Sequence, residues 1–240
     1  MKKMKQHYLT LLLLIITVKH FSQTKGDFRL GLIGGVTYTT PYGDDISKTK
    51  EYIKAKADKG GVSGNVNYRL GALTEYSLTD KVSLNIGLSY TRRSWTETFE
   101  SEMGMKAYQT TYGLSLLDLK DYNVQFSFTY IDIPISVRFK LNKRLFIHGG
   151  FVYSMKMDDN VKYSYTLANG QIDTQSEYIV DFFYEVVPNN RVFGFSAGMN
   201  FHLGKEYFVD LSVHRTGKIL PERYDVGFNT LSLSLVKYFN

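Results

Sequence analysis

Period-two alternation runs through this chain from Asp27 to its end, in eight blocks. Side chains on an extended strand point to opposite faces in turn, so each block dictates a strand with one apolar and one polar face. In the first, Phe28, Leu30, Leu32, Val36 and Tyr38 oppose Arg29, Gly31, Gly35 and Thr37, with Ile33 breaking the pattern. The second sets Val66, Tyr68, Leu70, Ala72, Tyr76 and Leu78 against Asn67, Arg69, Gly71, Glu75 and Ser77, and the third sets Val82 to Tyr90 against Ser83 to Thr91. The fourth opposes Ile131, Ile133, Ile135, Val137 and Phe139 to Asp132, Pro134, Ser136 and Arg138. The fifth follows with Ile147, Phe151 and Tyr153 against His148, Gly150 and Ser154, and the sixth with Phe193 to Leu203 against Gly194 to His202. The seventh sets Tyr207 to Val213 against Asp210, Ser212 and His214. In the last, Leu231, Leu233 and Leu235 alternate with Thr230, Ser232 and Ser234, and the phase is ambiguous after Val236.

The connections alternate as strictly as the residues. Thr79-Asp80-Lys81, Asn142-Lys143-Arg144 and Gly204-Lys205-Glu206 are tight polar turns. Between them lie long segments at Thr40–Ser63, Glu97–Asn123, Met157–Asn190 and, shorter, Gly217–Val226. An up-and-down transmembrane barrel has this asymmetry, with short periplasmic turns, longer external loops and both termini in the periplasm. Aromatic residues gather at both strand ends: Phe28, Tyr76, Phe139, Phe201 and Tyr207 beside the short turns, and Tyr38, Tyr68, Tyr90, Tyr153 and Phe193 beside the long loops. From Phe28 to Tyr38, at about 3.3 Å rise and ~40° tilt, the band is roughly 25 Å tall.

A soluble eight-stranded barrel of lipocalin type would carry the same alternation inside out. Its polar face would meet water, yet here that face is rich in Gly and Ser, which suits a cramped lumen better. Nor does a soluble barrel require aromatics at both strand ends or a strict alternation of loop lengths. The expected fold class is therefore all-β: an eight-stranded antiparallel up-and-down transmembrane β-barrel.

Export is written at the other end of the chain. Lys2, Lys3 and Lys5 precede an apolar run from Tyr8 to Val18, too short to span a bilayer and of the length of a secretory h-region. Cleavage after Ser22 divides the sequence into a signal peptide, residues 1–22, and a barrel domain, residues 23–240. The formal charge of the whole chain is +6, but the leader takes away four lysines and no acid, leaving 25 basic residues against 23 acidic. No stripe of Lys and Arg remains of the kind that tracks a nucleic-acid backbone, so nucleic acid is not an expected partner. The absence of cysteine excludes disulfides, thiolate metal sites and a cysteine nucleophile.

Tyr130-Ile131-Asp132-Ile133-Pro134-Ile135, followed by Val137-Arg138-Phe139, resembles a strand of PorT-like outer-membrane β-barrel proteins. The Gly-rich stretches Leu145–Phe151 and Phe193–Gly198 are similar to the fifth and sixth strands of that group. The closing Leu231–Leu235 and Tyr238-Phe239-Asn240 resemble a barrel-assembly signal, although Asn240 follows the usual terminal aromatic. The resemblance implies an architecture and, by analogy alone, a link to transport or secretion.

The polar faces would place Arg29, Arg69, Glu75, Arg93, Asp132, Arg138, Lys140, His148, Asp210 and His214 in the lumen, where such groups must pair. Asp210 and His214 share a face but stand roughly 13 Å apart along one strand, too far to hydrogen-bond. His202 lies near a short turn, and no nucleophile motif flanks any histidine. No catalytic, cofactor-binding or metal-ligating residues are therefore assigned, no cofactor is implied and an enzyme is not expected. Pro134 marks a bulge or a locally unpaired position in its strand. In the Met157–Asn190 loop, Asp158, Asp159, Asp173, Glu177, Asp181 and Glu185 face a lone Lys162, and Asn169-Gly170 predicts a protruding hairpin. The Thr40–Ser63 loop, with five lysines among four acids, reads as near-neutral and flexible.

The expected function is that of an integral protein of the cell outer membrane acting through its external loops in surface interaction or envelope organisation. The alternative is a component or accessory of protein or small-solute transport. Expected partners are outer-membrane lipids, the barrel-assembly machinery through the C-terminal strand, and a surface or secretion partner of unknown identity.

Overall fold

The computed structural model describes residues 26–100, 119–167, 172–173, 190–204, 206–219 and 225–239. The expected signal peptide, residues 1–22, lies outside these residues. Nine strands and one helix follow one another as β1 (Phe28–Tyr42), α1 (Asp44–Lys56), β2 (Lys59–Ser77), β3 (Val82–Glu100), β4 (Leu119–Lys140), β5 (Leu145–Leu167), β6 (Ile172–Asp173), β7 (Arg191–Gly204), β8 (Tyr207–Thr216) and β9 (Gly227–Phe239). Eight of the strands form a ring of antiparallel neighbours, closed by β9 on β1, with β4 and β5 also paired. The two-residue β6 stands off the ring and pairs with β5 through Tyr165↔Asp173 and Thr166↔Ile172, as expected of a hairpin around Asn169-Gly170, which itself lies outside the described residues. Closure leaves no free edge within the ring, the condition for a sheet to cross hydrocarbon.

Burial follows the alternation inside out. Leu32, Ile86 and Phe195 are 54%, 44% and 67% exposed, whereas Ser89 and Arg93 are 1% and 0%. An apolar exterior around a polar interior is the reverse of a water-soluble core and fits a wall bathed in lipid. The girdle residues Tyr38, Tyr68, Tyr76, Tyr90, Phe139, Phe193, Phe201 and Tyr207 are all exposed on that wall. The lumen is as cramped as its glycines imply: a Cβ on Gly71 would lie 2.3 Å from the Leu88 carbonyl oxygen, and one on Gly35 2.3 Å from that of Leu233.

The register is continuous across β3 and β4, but the rungs Gly87–Pro134 and Leu88–Ile133 are missing between Ile86↔Ile135 and Ser89↔Asp132. Pro134 has no N–H to give, so it opens the ladder without bulging it. True register shifts occur in β2 between Gly64 and Arg69 and at the Thr129/Tyr130 step of the β4–β5 ladder. Where β2 parts from β3, side chains bridge the gap: Asn65 Nδ2 donates to Thr96 Oγ1 at 3.0 Å and Ser94 Oγ donates to Asn67 Oδ1 at 2.9 Å.

Above the outer girdle the pattern exchanges faces. On β4 the inward residues are Asp132, Ser136 and Arg138 in the band, but Tyr130, Phe128, Phe126 and Val124 above it. On β3 the outward residues change from Ile86, Leu88 and Tyr90 to Arg92, Thr96 and Thr98, with Ser94 between them buried against Asn67. Strands β2 to β5 thus continue beyond the membrane as a water-facing sheet with an apolar inner side.

That inner side is covered by the Thr40–Ser63 segment, which is ordered rather than flexible. Asp44 and Asp45 sit in the first turn of α1 and Lys54 and Lys56 in the last, complementing the helix dipole, while Ile46 and Ile53 are buried. Gly43 precedes it at φ 124°, and a side chain there would collide with the Asp225 carbonyl. Asp45 Oδ2 accepts a hydrogen bond from the Asp225 N–H at 2.6 Å, fixing the helix start to the last external loop.

Candidate functional site

Three layers fill the barrel from the short-turn end outward. The lowest is a cationic and aromatic plug. Glu75 is held by Arg29 at 2.9 Å and by Arg138, whose guanidinium lies 4.6 Å from the Phe146 ring centroid and 5.1 Å from that of Phe208. Ile33, Val236 and Tyr238 pack beside Phe208, so the ambiguous phase after Val236 resolves with Val236 and Tyr238 inside. His202 stacks on Phe208 at 4.6 Å.

The middle layer holds two carboxylates, each satisfied by its own neighbours. Asp132 accepts from Arg93 and from Ser154 Oγ, both at 2.6 Å, and Arg93 also lies 3.3 Å from His214 Nδ1. Asp210 pairs with His148 Nε2 at 2.8 Å and accepts from Asn200 at 2.6 Å and Ser212 at 2.8 Å. Arg69 donates to Ser89 Oγ at 3.2 Å. Apart from Ser154, these groups line a cavity of about 90 Å³ that Asn85, Ser136 and Ser196 also border. Ligand pockets are typically roughly 300–1,000 Å³, so this polar chamber suits a few water molecules rather than an organic ligand.

Over the chamber lies an aromatic cap. Trp95 stacks on Phe126 at 4.4 Å and on Phe128 at 5.5 Å, and meets Phe228 edge-on at 5.6 Å. Ile46 of α1, Val192 at the start of β7, and Ile219 and Val226 of the last loop complete one buried cluster across the mouth. A second cluster higher up joins Ile53 to Phe99, with Tyr52 and Val62 against it. Within this head, burial raises the Glu97 carboxyl above its usual range, opposed by the hydrogen bond it accepts from Trp95 Nε1 at 2.9 Å.

Nine of the ten residues assigned to the lumen from alternation are found there, and Arg29, Arg138, Arg93 and His148 pair with Glu75, Asp132 and Asp210 as expected, whereas Arg69 hydrogen-bonds to the Ser89 hydroxyl and His214 lies against Arg93. Lys140 is the exception: it is exposed at the short-turn rim, because the strand ends where it stands. Asp210 and His214 fall into separate clusters. Of the acidic loop, Asp159 pairs with Lys156, while Glu177, Asp181 and Glu185 lie outside the described residues. The cap and α1 were not anticipated. Their signals were present in Ile46 and Ile53, seven residues apart, and in the inward parity that Trp95, Phe126 and Phe128 share with Arg93 and Asp132.

Comparison with known proteins agrees with this architecture. The family model described as "Outer membrane protein beta-barrel domain" matches residues 21–231. No curated protein matches the chain. Among solved structures, Ail, the attachment invasion locus protein of Yersinia pestis, in a complex with the heparin analogue sucrose octasulfate, is similar at 13% identity and a TM-score of 0.43, over 89% of this chain and 99% of that one. Neisserial surface protein A is similar at 11% identity and a TM-score of 0.46, over 90% and 100%. The outer membrane protein OprG from Pseudomonas aeruginosa is similar at 10% identity and 0.37, over 88% and 96%. A closed ring with a lipid-facing wall and a family match over most of the sequence lead to one conclusion: the chain belongs to the outer membrane protein β-barrel domain family and resides in the outer membrane.

Proposed function

We propose that this barrel is a non-conducting, non-enzymatic surface protein that works through its external head in surface interaction or envelope organisation. The observation that carries the reading is the closure of the lumen at both ends. Among the described residues, the Arg138 plug fills the inner end and the Trp95–Phe228 cap the outer, with the small chamber between them. A protein built to pass solute does not fill its conduit with stacked rings and buried ion pairs. The head, by contrast, has its own apolar core and presents ordered structure above the membrane. The buried polar groups support no catalytic reading either, since Asp132, Ser154, His148 and Asp210 spend their hydrogen bonds on one another behind the cap. The Tyr130–Phe139 strand supports placing the chain within the PorT-like group, and the inward Tyr238 and outward Phe239 support recognition of β9 by the assembly machinery.

Planar-bilayer recording of the refolded protein tests the reading. Silence is expected, with channel activity appearing in a Trp95→Ala/Phe228→Ala/Arg138→Ala variant that opens both plugs. Steady conductance of the unaltered protein would overturn it in favour of transport.

A further inference from the structure

Two of the three short turns are locked by a side chain of their own. At the β2–β3 turn, Thr79 Oγ1 accepts hydrogen bonds from the N–H groups of Lys81 at 3.2 Å and Val82 at 3.0 Å. At the β4–β5 turn, Asn142 Oδ1 does the same for Arg144 at 2.8 Å and Leu145 at 2.9 Å. Each turn is a small side-chain-locked loop that follows an exposed leucine, Leu78 at 55% and Leu141 at 56%. The two loops are tied together, because the Lys140 N–H donates to the Lys81 carbonyl oxygen at 2.8 Å.

The result is a rigid sector of the rim carrying Lys81, Lys140, Lys143 and Arg144, all exposed, with Asp80 as the one acid among them. Elsewhere on this rim the described charges are Lys237 against Asp27 and Glu206. Four exposed cations thus stand together under β2 to β5, while Lys205 of the third short turn lies outside the described residues. Its height is set by Phe139 and Tyr76, girdle residues immediately above it on the lipid-facing wall. Leu78 and Leu141 continue the lipid-facing side two residues beyond Tyr76 and Phe139, with the cations beside them.

We infer that this sector is a docking site for anionic phospholipid headgroups of the periplasmic leaflet, with Lys81, Lys140, Lys143 and Arg144 as the phosphate-facing groups and Leu78 and Leu141 as the acyl contacts. Cations near a charged lipid surface each strengthen association several-fold at low salt, and four in one sector act on the same few lipids. The site sets which lipids surround one side of the barrel and rests on the short turns facing the periplasm.

The test measures lipid selectivity of the full mature chain in phosphatidylcholine vesicles doped with spin-labelled phosphatidylglycerol or spin-labelled phosphatidylcholine. The expected preference for phosphatidylglycerol is about tenfold, lost in high salt. It is also expected to vanish in Lys81→Ser/Lys140→Ser/Lys143→Ser/Arg144→Ser. A control that removes as much charge from the head, Lys48→Ser/Lys50→Ser/Lys54→Ser/Lys59→Ser, is expected to keep it. Should the fourfold turn variant fail to fold, Lys143→Ser and Arg144→Ser alone, at exposed turn positions, are each expected to lower the preference, and Lys143→Arg to retain it. An unaltered preference in the turn variants, or an equal loss in the head control, overturns the inference. So does binding of soluble acidic cell-wall fragments by the sector without any preference for phosphatidylglycerol.

Discussion

Replacing Asp132 by alanine isolates the energetics of the sealed lumen. Arg93 is wholly buried, and Asp132 is its only carboxylate partner within 4.0 Å among the described residues, at 2.6 Å. Truncation leaves a guanidinium without its counter-charge and Ser154 Oγ without its acceptor. Breaking a buried pair in this one-sided way costs about 3–5 kcal/mol, because the remaining ion stays desolvated. The exposed pair Lys59–Glu100, at 3.7 Å, supplies the comparison: Glu100→Ala is expected to cost no more than about 1 kcal/mol. Arg93→Met/Asp132→Leu removes both charges and is expected to recover most of the loss. Urea titration of the protein folded into vesicles measures all of these. Trp95, the one tryptophan of the chain, reports the transition. A loss below about 1 kcal/mol for Asp132→Ala, or a double variant as unstable as the single, would refute the account in which an uncompensated buried charge sets the cost.

Ile86→Arg puts a charge on the lipid-facing wall and is expected to cost about 2–4 kcal/mol in the same titration. On the lumen face Gly87→Ser is expected to be tolerated much better, since a Cβ there at 3.1 Å from the Ala72 carbonyl oxygen asks only a small shift, whereas Gly71→Ser, at 2.3 Å from a carbonyl oxygen, is expected to block folding. Glu97, whose carboxyl is raised by burial, contributes stability that is full below about pH 4 and is lost as pH rises through its folded value. The Trp95 emission shift should therefore reveal a head that loosens as pH rises above the ordinary carboxylate range, and Glu97→Gln, which keeps an acceptor for Trp95, should abolish that dependence.

The strands and their faces were legible because the bilayer enforces a two-letter code: Leu231, Leu233 and Leu235 could face only lipid, and Ser232 and Ser234 only the lumen. The code fails where its premise fails. Ile33, Phe208, Val236 and Tyr238 are apolar yet inside, because the inner plug packs rings against Arg138 and needs carbon on the lumen side. Above the girdle the solvent is water, so Trp95, Phe126 and Phe128 turn inward on the parity that carries Arg93 and Asp132 below. An alternation count sees no break there, and the continuation of β3 to β5 into a head passed as loop. The lysine-rich first loop concealed α1 for a similar reason: only two of its residues, Ile46 and Ile53, are buried, too sparse an apolar stripe to stand out. Pairing within the lumen followed from the cost of isolated charge, but which acid takes which base depends on ring closure, which brings His148 of β5 to Asp210 of β8 across the sequence.

The exchange of faces above Tyr90 and Tyr130 has a bearing on how the protein sits. Sliding the barrel inward by one rung would drag Arg92, Asp158 and Lys162 toward hydrocarbon, and sliding it outward would lift Lys81 and Lys143 into the acyl region. Both displacements are opposed, so the molecule has a fixed draught rather than a range of depths. A bilayer whose hydrocarbon is thicker or thinner than its apolar belt must then adjust to the protein, at a cost of fractions of a kcal/mol for each Å of mismatch. Each copy thereby imposes its own thickness on the lipids around it, and copies in a thicker membrane gain by sharing one thinned annulus.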